Sequence, residues 1–492
     1  MVDWLWLSMG SLGHLLFLSV VLFPAVHGIT ANIYIDTNVV VNRVQDSFVG
    51  VTLDSSVIQS PLAKSGLNFS SPKLLNLAGG FQPNILRIGG TAEDDISFDP
   101  NNVTEDSHGN LSASLWDEIN AFTTSVGWDL IFGLNVLERR DGQWDPTNAE
   151  VFLDYTSKKG YTLYGLELGN EPRMFPKNFN QSVMPKQLGK DFGTLEKVLR
   201  DRPYFNNTRI LGPDVSGILS KDSVSYVEEF LAAGGASVVD GVTFHQYFGN
   251  GDNATKEMFT NTTFMDTLNA SFVSAHKATR ALASNKPLLL GETGSFYHGG
   301  VVNMTDTFLG GFLWMDKLGM AAQSGIQNVF RQDLYGLGST NHLLEPYTYD
   351  PLPDYWLTFL FKKLVGNDVF KPRVEGPPTV RAYCHCMRHI NPYFYPPGSV
   401  TVFAMNLDTV AVNLTFPAYK GGYMDHFLFS PEGGDVQSRT VILNGHQPVH
   451  LVEDEIPFLV PAGAGGKTIT FPPLTYGFIV LYADASVCKP DN

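Results

Sequence analysis

Residues 164–172 read Tyr-Gly-Leu-Glu-Leu-Gly-Asn-Glu-Pro, an apolar strand that runs straight into Asn170-Glu171-Pro172. Pro172 stops regular structure at that point. Catalytic groups of a (β/α)8 barrel lie at the C-terminal ends of its strands, and a carboxylate on a strand end is held rigidly there. Glu171 is therefore a candidate catalytic residue, although a solvated loop glutamate before a helix-starting proline is the alternative when it is taken alone.

Apolar strands of this kind recur from residue 46 to residue 366, where they alternate with stretches that have a helical pattern. Eight candidate strands are Val49–Asp54, Ile85–Gly90, Leu130–Asn135, Tyr164–Asn170, Arg209–Val215, Gly241–Tyr247, Pro287–Thr293 and Asn328–Leu334. Amphipathic segments between them are Leu115–Thr124, Asn148–Lys158, Ser223–Ala233, Phe272–Ala283 and Thr307–Ala322. Eight β–α repeats predict an α/β fold with a (β/α)8 TIM barrel. A doubly wound open sheet is the alternative, but no Gly-rich phosphate loop follows its first strand.

A second carboxylate ends the seventh candidate strand, where residues 287–294 read Pro-Leu-Leu-Leu-Gly-Glu-Thr-Gly. Strand ends four and seven lie on opposite walls of one barrel mouth, so Glu171 and Glu292 are predicted to face each other. A retaining glycosidase needs two carboxyl groups about 5–5.5 Å apart, one as nucleophile and one as acid and then base. The acid must be protonated and the nucleophile ionised, so an acidic pH optimum is expected. Spacing alone does not assign the two roles.

Polar residues at the other strand ends are candidates for the walls of a cleft. Tyr247 could donate to the nucleophile and keep it ionised, and His245 could orient it. Gln332 suits a sugar hydroxyl and Asp54 is a plausible sugar-binding carboxylate, whereas Arg331 could stabilise a carboxylate or pair structurally. Asn170, beside Glu171, could bond a sugar hydroxyl next to the scissile bond. For each of these residues, a purely structural role is the alternative.

After Gly366 the pattern changes to short alternating strands separated by turn-rich segments, which predicts a C-terminal β-sandwich over residues 367–492. The barrel is assigned to residues 46–366, and an early strand within residues 29–45 is expected to join the sandwich. The candidate sandwich strands are Val380–Cys384, Val400–Asn406, Val412–Phe416, Met424–Ser430, Thr440–Leu443, Thr468–Phe471 and Gly477–Tyr482.

Residues 1–28 are predicted to be a signal peptide, because the apolar run is too short to span a bilayer comfortably and small residues stand near a cleavage point. A signal anchor is the alternative. Together with N-x-[ST] sequons, this predicts a secreted, N-glycosylated protein, with a lysosomal location as an option and no stable membrane insertion. The ten sequons begin at Asn68, Asn102, Asn110, Asn180, Asn206, Asn253, Asn261, Asn269, Asn303 and Asn413.

The net charge and the cysteine content limit which ligands and metals the protein is expected to bind. The formal net charge of −16 argues against nucleic acid, and it weakens the case for a very highly sulfated polyanion unless basic residues are focused in one groove. Three cysteines fit one disulfide and one free thiol in an oxidising compartment. No metal site and no cofactor are predicted, because the Cys384-His385-Cys386 triplet lacks a second pair to complete tetrahedral zinc.

Five motifs, in order along the chain, resemble glycoside hydrolase family 79, the heparanases and their relatives, which include a leech-type hyaluronidase. They are Leu86-Arg87-Ile88-Gly89-Gly90-Thr91, Leu130-Ile131-Phe132-Gly133-Leu134-Asn135, Leu168-Gly169-Asn170-Glu171-Pro172, Leu290-Gly291-Glu292-Thr293 and Asp350-Pro351-Leu352-Pro353-Asp354-Tyr355-Trp356. The resemblance runs from about residue 46 to Cys488. It implies a barrel with a C-terminal β-sandwich and a retaining mechanism without a metal.

The resemblance also implies roles for particular residues. Glu171 would be the acid/base and Glu292 the nucleophile, and Cys386 would pair with Cys488, leaving Cys384 free. The substrate-cleft positions would be Asp54, Thr91, Asn170, Tyr247, Gly299 and Gln332. The segment 99–127 is short where the heparanases have an excised linker, so an active single chain is expected.

The activity implied is that of an endo-β-glucuronidase acting on a glycosaminoglycan. Where the heparanases have a basic cluster after strand five, this chain has only Lys221 between Gly217 and Asp222. A sulfate-rich polymer needs Lys and Arg along its path, so hyaluronan is favoured over heparan sulfate as the substrate. An exo-β-glucuronidase and a non-catalytic glycosaminoglycan-binding relative are the remaining alternatives.

Overall fold

The computed structural model describes residues 29–59, 65–101, 109–389 and 392–489. The predicted signal peptide and the sequon at Asn102 lie outside these residues. In the part of the chain that is described, no helix is both long and apolar enough to cross a bilayer.

Eight parallel strands close into a barrel, which confirms the predicted fold class. Neighbours in sequence are neighbours in space, and β8 closes the barrel against β1 through the pairs Val329–Val49 and Arg331–Val51. The strands are β1 Val49–Asp54, β2 Asn84–Gly89, β3 Trp128–Leu134, β4 Gly165–Leu168, β5 Arg209–Ser216, β6 Gly241–His245, β7 Leu288–Thr293 and β8 Ile326–Arg331. The polar residues that follow these strands therefore meet at one mouth.

Helices surround the barrel, and several of them lie outside the predicted set. The longer helices are Pro72–Gly79, Ala113–Val126, Thr147–Lys159, Pro185–Arg200, Lys221–Phe230, Thr262–Thr279, Gly310–Gln323 and Pro353–Leu364. Three of them, missing from the sequence prediction, begin with a proline in the first turn. Proline fits that position because its fixed φ suits a helix and its absent N–H has no partner to lose there.

Gly310–Gln323 fixes the barrel to the second domain. Every residue from Gly310 to Ala322 is buried, as expected of a helix that is packed on all sides. Asp316 on this helix accepts hydrogen bonds from Arg381 and Tyr383 of the C-terminal domain, both at 2.5 Å. These bonds join a buried carboxylate of the barrel to the sandwich.

The C-terminal domain is built from two sheets. One consists of Arg373–Glu375, Ile29–Tyr34, Val412–Thr415 and Thr468–Phe471, in that order. The other consists of Asn42–Arg43, Val365–Phe370, Val380–Met387, Val400–Asn406, Thr475–Leu481, Tyr423–Pro431 and Val441–Leu443, with Ala462–Gly465 paired to Tyr423–Pro431. The N-terminal strand thus lies in the sandwich, parallel to Val412–Thr415. The first sandwich strand after the barrel begins at Val365, directly after the helix Pro353–Leu364.

A disulfide joins Cys386 on Val380–Met387 to Cys488 near the chain's end, and Cys384 is buried and free. The bridge closes a loop with a sequence separation of 102 residues, which contains most of the sandwich. Cross-linking a long loop stabilises mainly by restricting the unfolded chain.

We expect the double variant Cys386→Ala/Cys488→Ala to lose about 2–4 kcal/mol of stability, because its unfolded state regains the freedom of the open loop. Thermal unfolding of purified protein would measure the loss. Cys384→Ala is the control, since it leaves the bridge intact. Equal melting temperatures for the double variant and wild type would contradict a stabilising bridge.

Candidate active site

Arg87, on β2, lies in the middle of the barrel and is fully buried. Its Nε donates to Glu167 Oε2 at 2.7 Å, its Nη1 to Glu292 Oε2 at 3.3 Å and its Nη2 to Asn170 Oδ1 at 3.1 Å. Asp214 Oδ1 is a further 4.0 Å ion-pair partner. A buried guanidinium is tolerated only when it is paired and hydrogen-bonded in this way. Arg87 therefore ties β4, β5 and β7 to the centre of the barrel.

Glu292, at the end of β7, is bound from two sides. Arg87 contacts Oε2, and the Tyr247 hydroxyl donates to Oε1 at 2.8 Å. Burial raises the pKa of Tyr247 well above its usual value, so the phenol keeps the proton that it donates. Burial also raises the pKa of Glu292, while the positive charges of His245 and Arg87 oppose that rise. The donors around Glu292 thus favour its ionised form against the effect of burial.

Glu171 follows β4 on a loop, in a left-handed conformation with φ of 52°. Its backbone N–H donates to the Asp214 carbonyl at 3.1 Å, and the preceding Asn170 N–H donates to Asp94 Oδ2 at 2.8 Å. A positive φ is uncommon for a residue with a side chain and persists where neighbours fix the backbone. The Glu171 side chain remains 22% exposed, in contrast to the buried Glu292.

His245 links Glu171 to a buried aspartate. Its Nδ1 is 3.0 Å from Glu171 Oε1 and its Nε2 is 3.1 Å from Asp214 Oδ1. Burial alone would lower the pKa of His245, but the charge of Glu292 and the bonds to Asp214 and Glu171 raise it to about 10. The ring is therefore an imidazolium at neutral pH and donates from both nitrogens. It was predicted to orient Glu292; it instead bonds Glu171 and lies 4.0 Å from Glu292 Oε2.

The two glutamates share one narrow gap. One oxygen of each, together with a ring nitrogen of His245, all lie within 4.8 Å of one another. An oxygen–oxygen distance below this bound fits the short separation of the carboxyl groups in retaining glycosidases, about 5–5.5 Å, better than the separation of about 6.5–9.5 Å in inverting ones. The same three groups are the set that could hold a cation, but a ligating imidazole must offer an unprotonated nitrogen. Both nitrogens of His245 face carboxylates, so the donor set fits a hydrogen-bonded carboxylate pair better than a metal centre.

A cleft of about 740 Å³ lies over the pair. The predicted residues that line it are Asp54, Thr91, Glu171, His245, Tyr247, Glu292, Gly299 and Gln332. Gln332 donates from Nε2 to Asp54 Oδ2 at 2.9 Å, which joins the ends of β8 and β1. His245 is 1% exposed, so it positions other groups more than it offers a surface to a ligand.

Two predicted binding residues do not line the cleft. Arg331 is fully buried; it pairs with Asp354 at 2.9 Å and donates to the Asn341 carbonyl. Its role is the structural pairing that was the alternative from sequence. Asn170 is also buried, and its Oδ1 accepts from Arg87, so its side chain anchors the β4 loop in the barrel.

The sequence prediction missed the buried acids that hold the site together. Asp214, Glu167 and Asp94 are all buried, and the first two stand inside strands that are otherwise apolar. A charged residue in the middle of a buried strand is rarely accidental, because an unpaired buried charge is costly. That signal could have identified Glu167 and Asp214 as partners of a buried cation. Asp94 lies on a 3₁₀ turn and carries no such signal.

A closed parallel barrel with two carboxylates facing each other across its mouth defines a class, the barrel glycoside hydrolases. The chain matches the family described as "Glycosyl hydrolase family 79, N-terminal domain" over residues 30–319. The protein therefore belongs to glycoside hydrolase family 79, a family of retaining enzymes, as the motifs predicted.

Relatives match nearly the whole chain. Heparanase of Mus musculus is 36% identical over 495 residues, covering 89% of this chain and 90% of its own length. The hyaluronoglucuronidase of Hirudo nipponia is 33% identical over 495 residues, covering 92% of this chain and 98% of its own length. A 4-O-alpha-L-rhamnosyl-beta-D-glucuronidase structure from Fusarium oxysporum 12S superposes with a TM-score of 0.64 at 15% identity, over 92% of this chain and 99% of that one. The last similarity shows the fold alone.

We expect the protein to be more stable at pH 5 than at pH 8. Burial raises the pKa of Asp94 to about 8 and of Glu167 to about 7, from 3.8 and 4.5. The folded state therefore keeps protons that the unfolded state releases, and stability falls as pH rises through this window. His245 acts in the same sense, because the stability from its raised pKa is complete below about 6.5 and is lost towards 10. Asp214, whose pKa is lowered, opposes this only at strongly acidic pH. His342 and His385, whose pKa values burial lowers to about 4, oppose it in part below about pH 6.5.

Melting temperatures measured across this pH range test the expectation. Glu167→Gln should reduce the pH dependence between pH 5 and pH 8, since residue 167 then has no proton to release there, while Asp94 and His245 still contribute. Glu229→Gln, at an exposed position on the helix Lys221–Phe230, is the matched control and should leave the slope unchanged. A melting temperature that rises from pH 5 to pH 8 would contradict the assignment of these buried protons.

Proposed function

We propose that this protein is a retaining endo-β-glucuronidase of a glycosaminoglycan, with Glu292 as nucleophile and Glu171 as acid/base. The observation that carries the proposal is the single gap shared by the two carboxylates, in a chain of family 79. Their surroundings differ, and two different roles need different surroundings. Glu292 is buried between Arg87 and Tyr247, whereas Glu171 is partly exposed on a loop.

In the first step Glu292 attacks the anomeric carbon of the glucuronosyl unit, and the bond from that carbon to the glycosidic oxygen breaks. Glu171 gives its proton to the departing oxygen, so the leaving chain departs neutral. Arg87 and Tyr247 hold the attacking carboxylate in place. A glycosyl–enzyme ester on Glu292 results.

In the second step water attacks the same carbon, and Glu171 takes a proton from that water. The ester bond to Glu292 breaks, the carboxylate is regenerated, and the sugar keeps its original anomeric configuration. His245 supports both steps by holding Oε1 of Glu171 at 3.0 Å, so that the carboxyl group faces the gap in either protonation state.

Cleavage within a polymer is supported by the shape of the cleft. Its lining includes Asp54 and Gln332, which lie at the ends of β1 and β8, and also Arg173 and Lys177, which follow β4 on the opposite wall of the barrel. Sugars can therefore be accommodated on both sides of the scissile bond. The names of the relatives, heparanase and hyaluronoglucuronidase, support a glucuronide-containing glycosaminoglycan.

Heparan sulfate is the first candidate polymer, because the heparanases share slightly more of the sequence than the hyaluronoglucuronidase does. This reverses the preference for hyaluronan that the sequence suggested. Hyaluronan remains the second candidate on one specific observation: among the described residues that line the cleft, the only lysine or arginine side chains are Arg173 and Lys177. A weakly sulfated or unsulfated chain needs fewer cations than a heavily sulfated one.

We also propose secretion, or lysosomal delivery, with N-glycosylation. Sequon asparagines at 206, 253 and 269 are exposed in the folded chain, which leaves them accessible to glycan attachment. A shift in mass on enzymatic deglycosylation of protein from a secreting eukaryotic host would test this.

Replacing either glutamate should stop turnover in a different way. Glu292→Ala is expected to lower kcat at least about 10⁴-fold, because the covalent step has no nucleophile. Glu171→Ala is expected to cost about 10²–10⁴-fold on natural polymer, and azide with an activated leaving group should restore part of the rate. Hydrolysis of defined glucuronide oligosaccharides would measure both effects.

Glu228→Ala, exposed on the helix Lys221–Phe230, serves as the control and should match wild type. An azide adduct of retained configuration from Glu171→Ala would identify the acid/base. Near wild-type turnover in either cleft variant would overturn the roles.

Heparan sulfate and hyaluronan of equal starting length should be separable as substrates. We expect heparan sulfate to be shortened faster, with oligosaccharides as products, since cleavage is internal. Size-exclusion chromatography of timed digests gives the comparison. Shortening of hyaluronan alone would reject heparan sulfate, and release of free glucuronic acid without oligomers would reject internal cleavage.

A further inference from the structure

We infer that the cleft is electrostatically one-sided. Arg173 and Lys177 recognise an anionic substituent, sulfate or carboxylate, on the reducing side of the scissile bond. The sugar before the glucuronosyl unit, on the non-reducing side, binds without sulfate, on the side of the cleft formed by Asp54, Gln332 and Asp333. The inference rests on the proposed roles of Glu171 and Glu292, which set the direction of the polymer in the cleft.

The direction follows from the chemistry. The acid gives its proton to the oxygen of the departing sugar, so that sugar lies on the Glu171 side of the gap. Arg173 comes two residues after Glu171, in the turn Pro172–Met174, and Lys177 lies in the short helix Phe175–Asn178 that follows. Both residues line the cleft, so the lysine and arginine charge of the described lining comes from the segment after the proposed acid.

Arg173 is fixed in place by the neighbouring β5 loop. Its Nη1 donates to Ser220 Oγ at 3.2 Å and also to Ser223 Oγ, and its Nη2 is 3.7 Å from Asp222 Oδ2. Asp222 is 86% exposed, so it screens the guanidinium only weakly. A guanidinium has five N–H donors in a planar fork that matches sulfate or carboxylate oxygens. The Arg173 guanidinium therefore still has N–H donors that can bind a substrate anion. Because the side chain is already held in place, little side-chain entropy is lost when it does so.

The opposite side of the cleft has acidic side chains instead of basic ones. Asp54 accepts from Gln332 at 2.9 Å, and Asp333 lines the cleft at only 2% exposure. Within the described residues, Asp333 Oδ1 is buried without a hydrogen-bond partner, so no cation bonds that oxygen. Burial and the charge of Asp54 raise the pKa of Asp333 to about 7.

Carboxyl groups of this kind bind a neutral sugar hydroxyl well, because they accept its hydrogen bond when ionised and can donate one when protonated. In neither state can they offset the charge of a sulfate. No lysine or arginine of the described cleft lining stands beside Asp54, Gln332 and Asp333 to do so. A sulfate on that side would add a second negative charge to that of the glucuronosyl carboxylate, and it would lose water without gaining a counter-charge, which is unfavourable.

The test uses oligosaccharides with a single cleavable glucuronide and defined substituents. One carries no sulfate, one carries sulfate only on the sugar directly after the scissile bond, and one carries sulfate only on the sugar before the glucuronosyl unit. A hyaluronan-type oligosaccharide, whose only reducing-side anion is a carboxylate, separates carboxylate from sulfate recognition. The measured quantity is kcat/KM for each, at low and at raised salt.

For wild type we expect reducing-side sulfate to raise kcat/KM about tenfold, as one or two charge-assisted hydrogen bonds would. Non-reducing-side sulfate should lower it by a similar factor. The gain should disappear in Arg173→Ala/Lys177→Ala and shrink with added salt. Lys177→Ala alone leaves the Arg173 contacts intact, so a smaller sulfate gain in this single variant would not be caused by misfolding around Arg173. Lys158→Ala, exposed on the helix Thr147–Lys159, is the control and should retain the full gain.

Equal kcat/KM for both sulfate placements, or an unchanged gain in the double variant, would overturn the inference while leaving the proposed function intact. A preference for sulfate on the non-reducing side would overturn it as well. Failure to cleave any of the oligosaccharides, including the unsulfated one, would instead overturn the proposed function on which the inference rests.

Discussion

The Arg87 guanidinium inside the barrel is the interaction on which the site depends. It is fully buried and bonded to Glu167, Glu292 and Asn170, so one side chain fixes groups from two other strands. Breaking a buried ion pair by removing one partner typically costs about 3–5 kcal/mol, because the remaining charge is left uncompensated. The position of Glu292 is therefore coupled to the integrity of the barrel core and not to a flexible loop.

Positively charged side chains and carboxylates lie next to one another around Arg87, and the two glutamates have different partners among them. Glu292 has a buried cation and a phenol as donors, whereas Glu171 has His245, itself held by Asp214. Two carboxylates in one gap repel each other when both are ionised, so one readily keeps a proton. Glu171, the partly exposed carboxyl group on the loop, is the one of the two that solvent and substrate reach more readily.

Much of the framework could be predicted because it depends on local patterns. The bounds of β1, Val49–Asp54, and of the sandwich strand Val400–Asn406 agree with the prediction, since apolar strands between turn residues are easily recognised. The C-terminal end of β4 was placed too late, at Asn170 instead of Leu168, because the sequence pattern gives no sign of where the chain leaves the barrel wall. The helices that begin with Pro72, Pro185 and Pro353 were not among the segments named from the sequence.

Those site residues that lie at the ends of barrel strands could be predicted from the sequence. Glu171, Glu292, Tyr247, Asp54 and Gln332 were found in this way and line one cleft. Arg331 was misplaced because its partner Asp354 lies in a distant helix, and only the tertiary fold shows that they pair. Asp94, which holds the loop of Glu171, could not be found because its partners are backbone N–H groups of other segments.

The most direct test of the central claim is to trap the glycosyl–enzyme ester. A 2-deoxy-2-fluoro glucuronide with a reactive leaving group forms this ester quickly and hydrolyses it slowly, so intact-mass and peptide mass spectrometry can locate it. A single label on the peptide that contains Glu292, absent from Glu292→Ala and formed more slowly in Tyr247→Phe, is the expected result. A label on Glu171, or a product of inverted configuration with no label at all, would contradict the account.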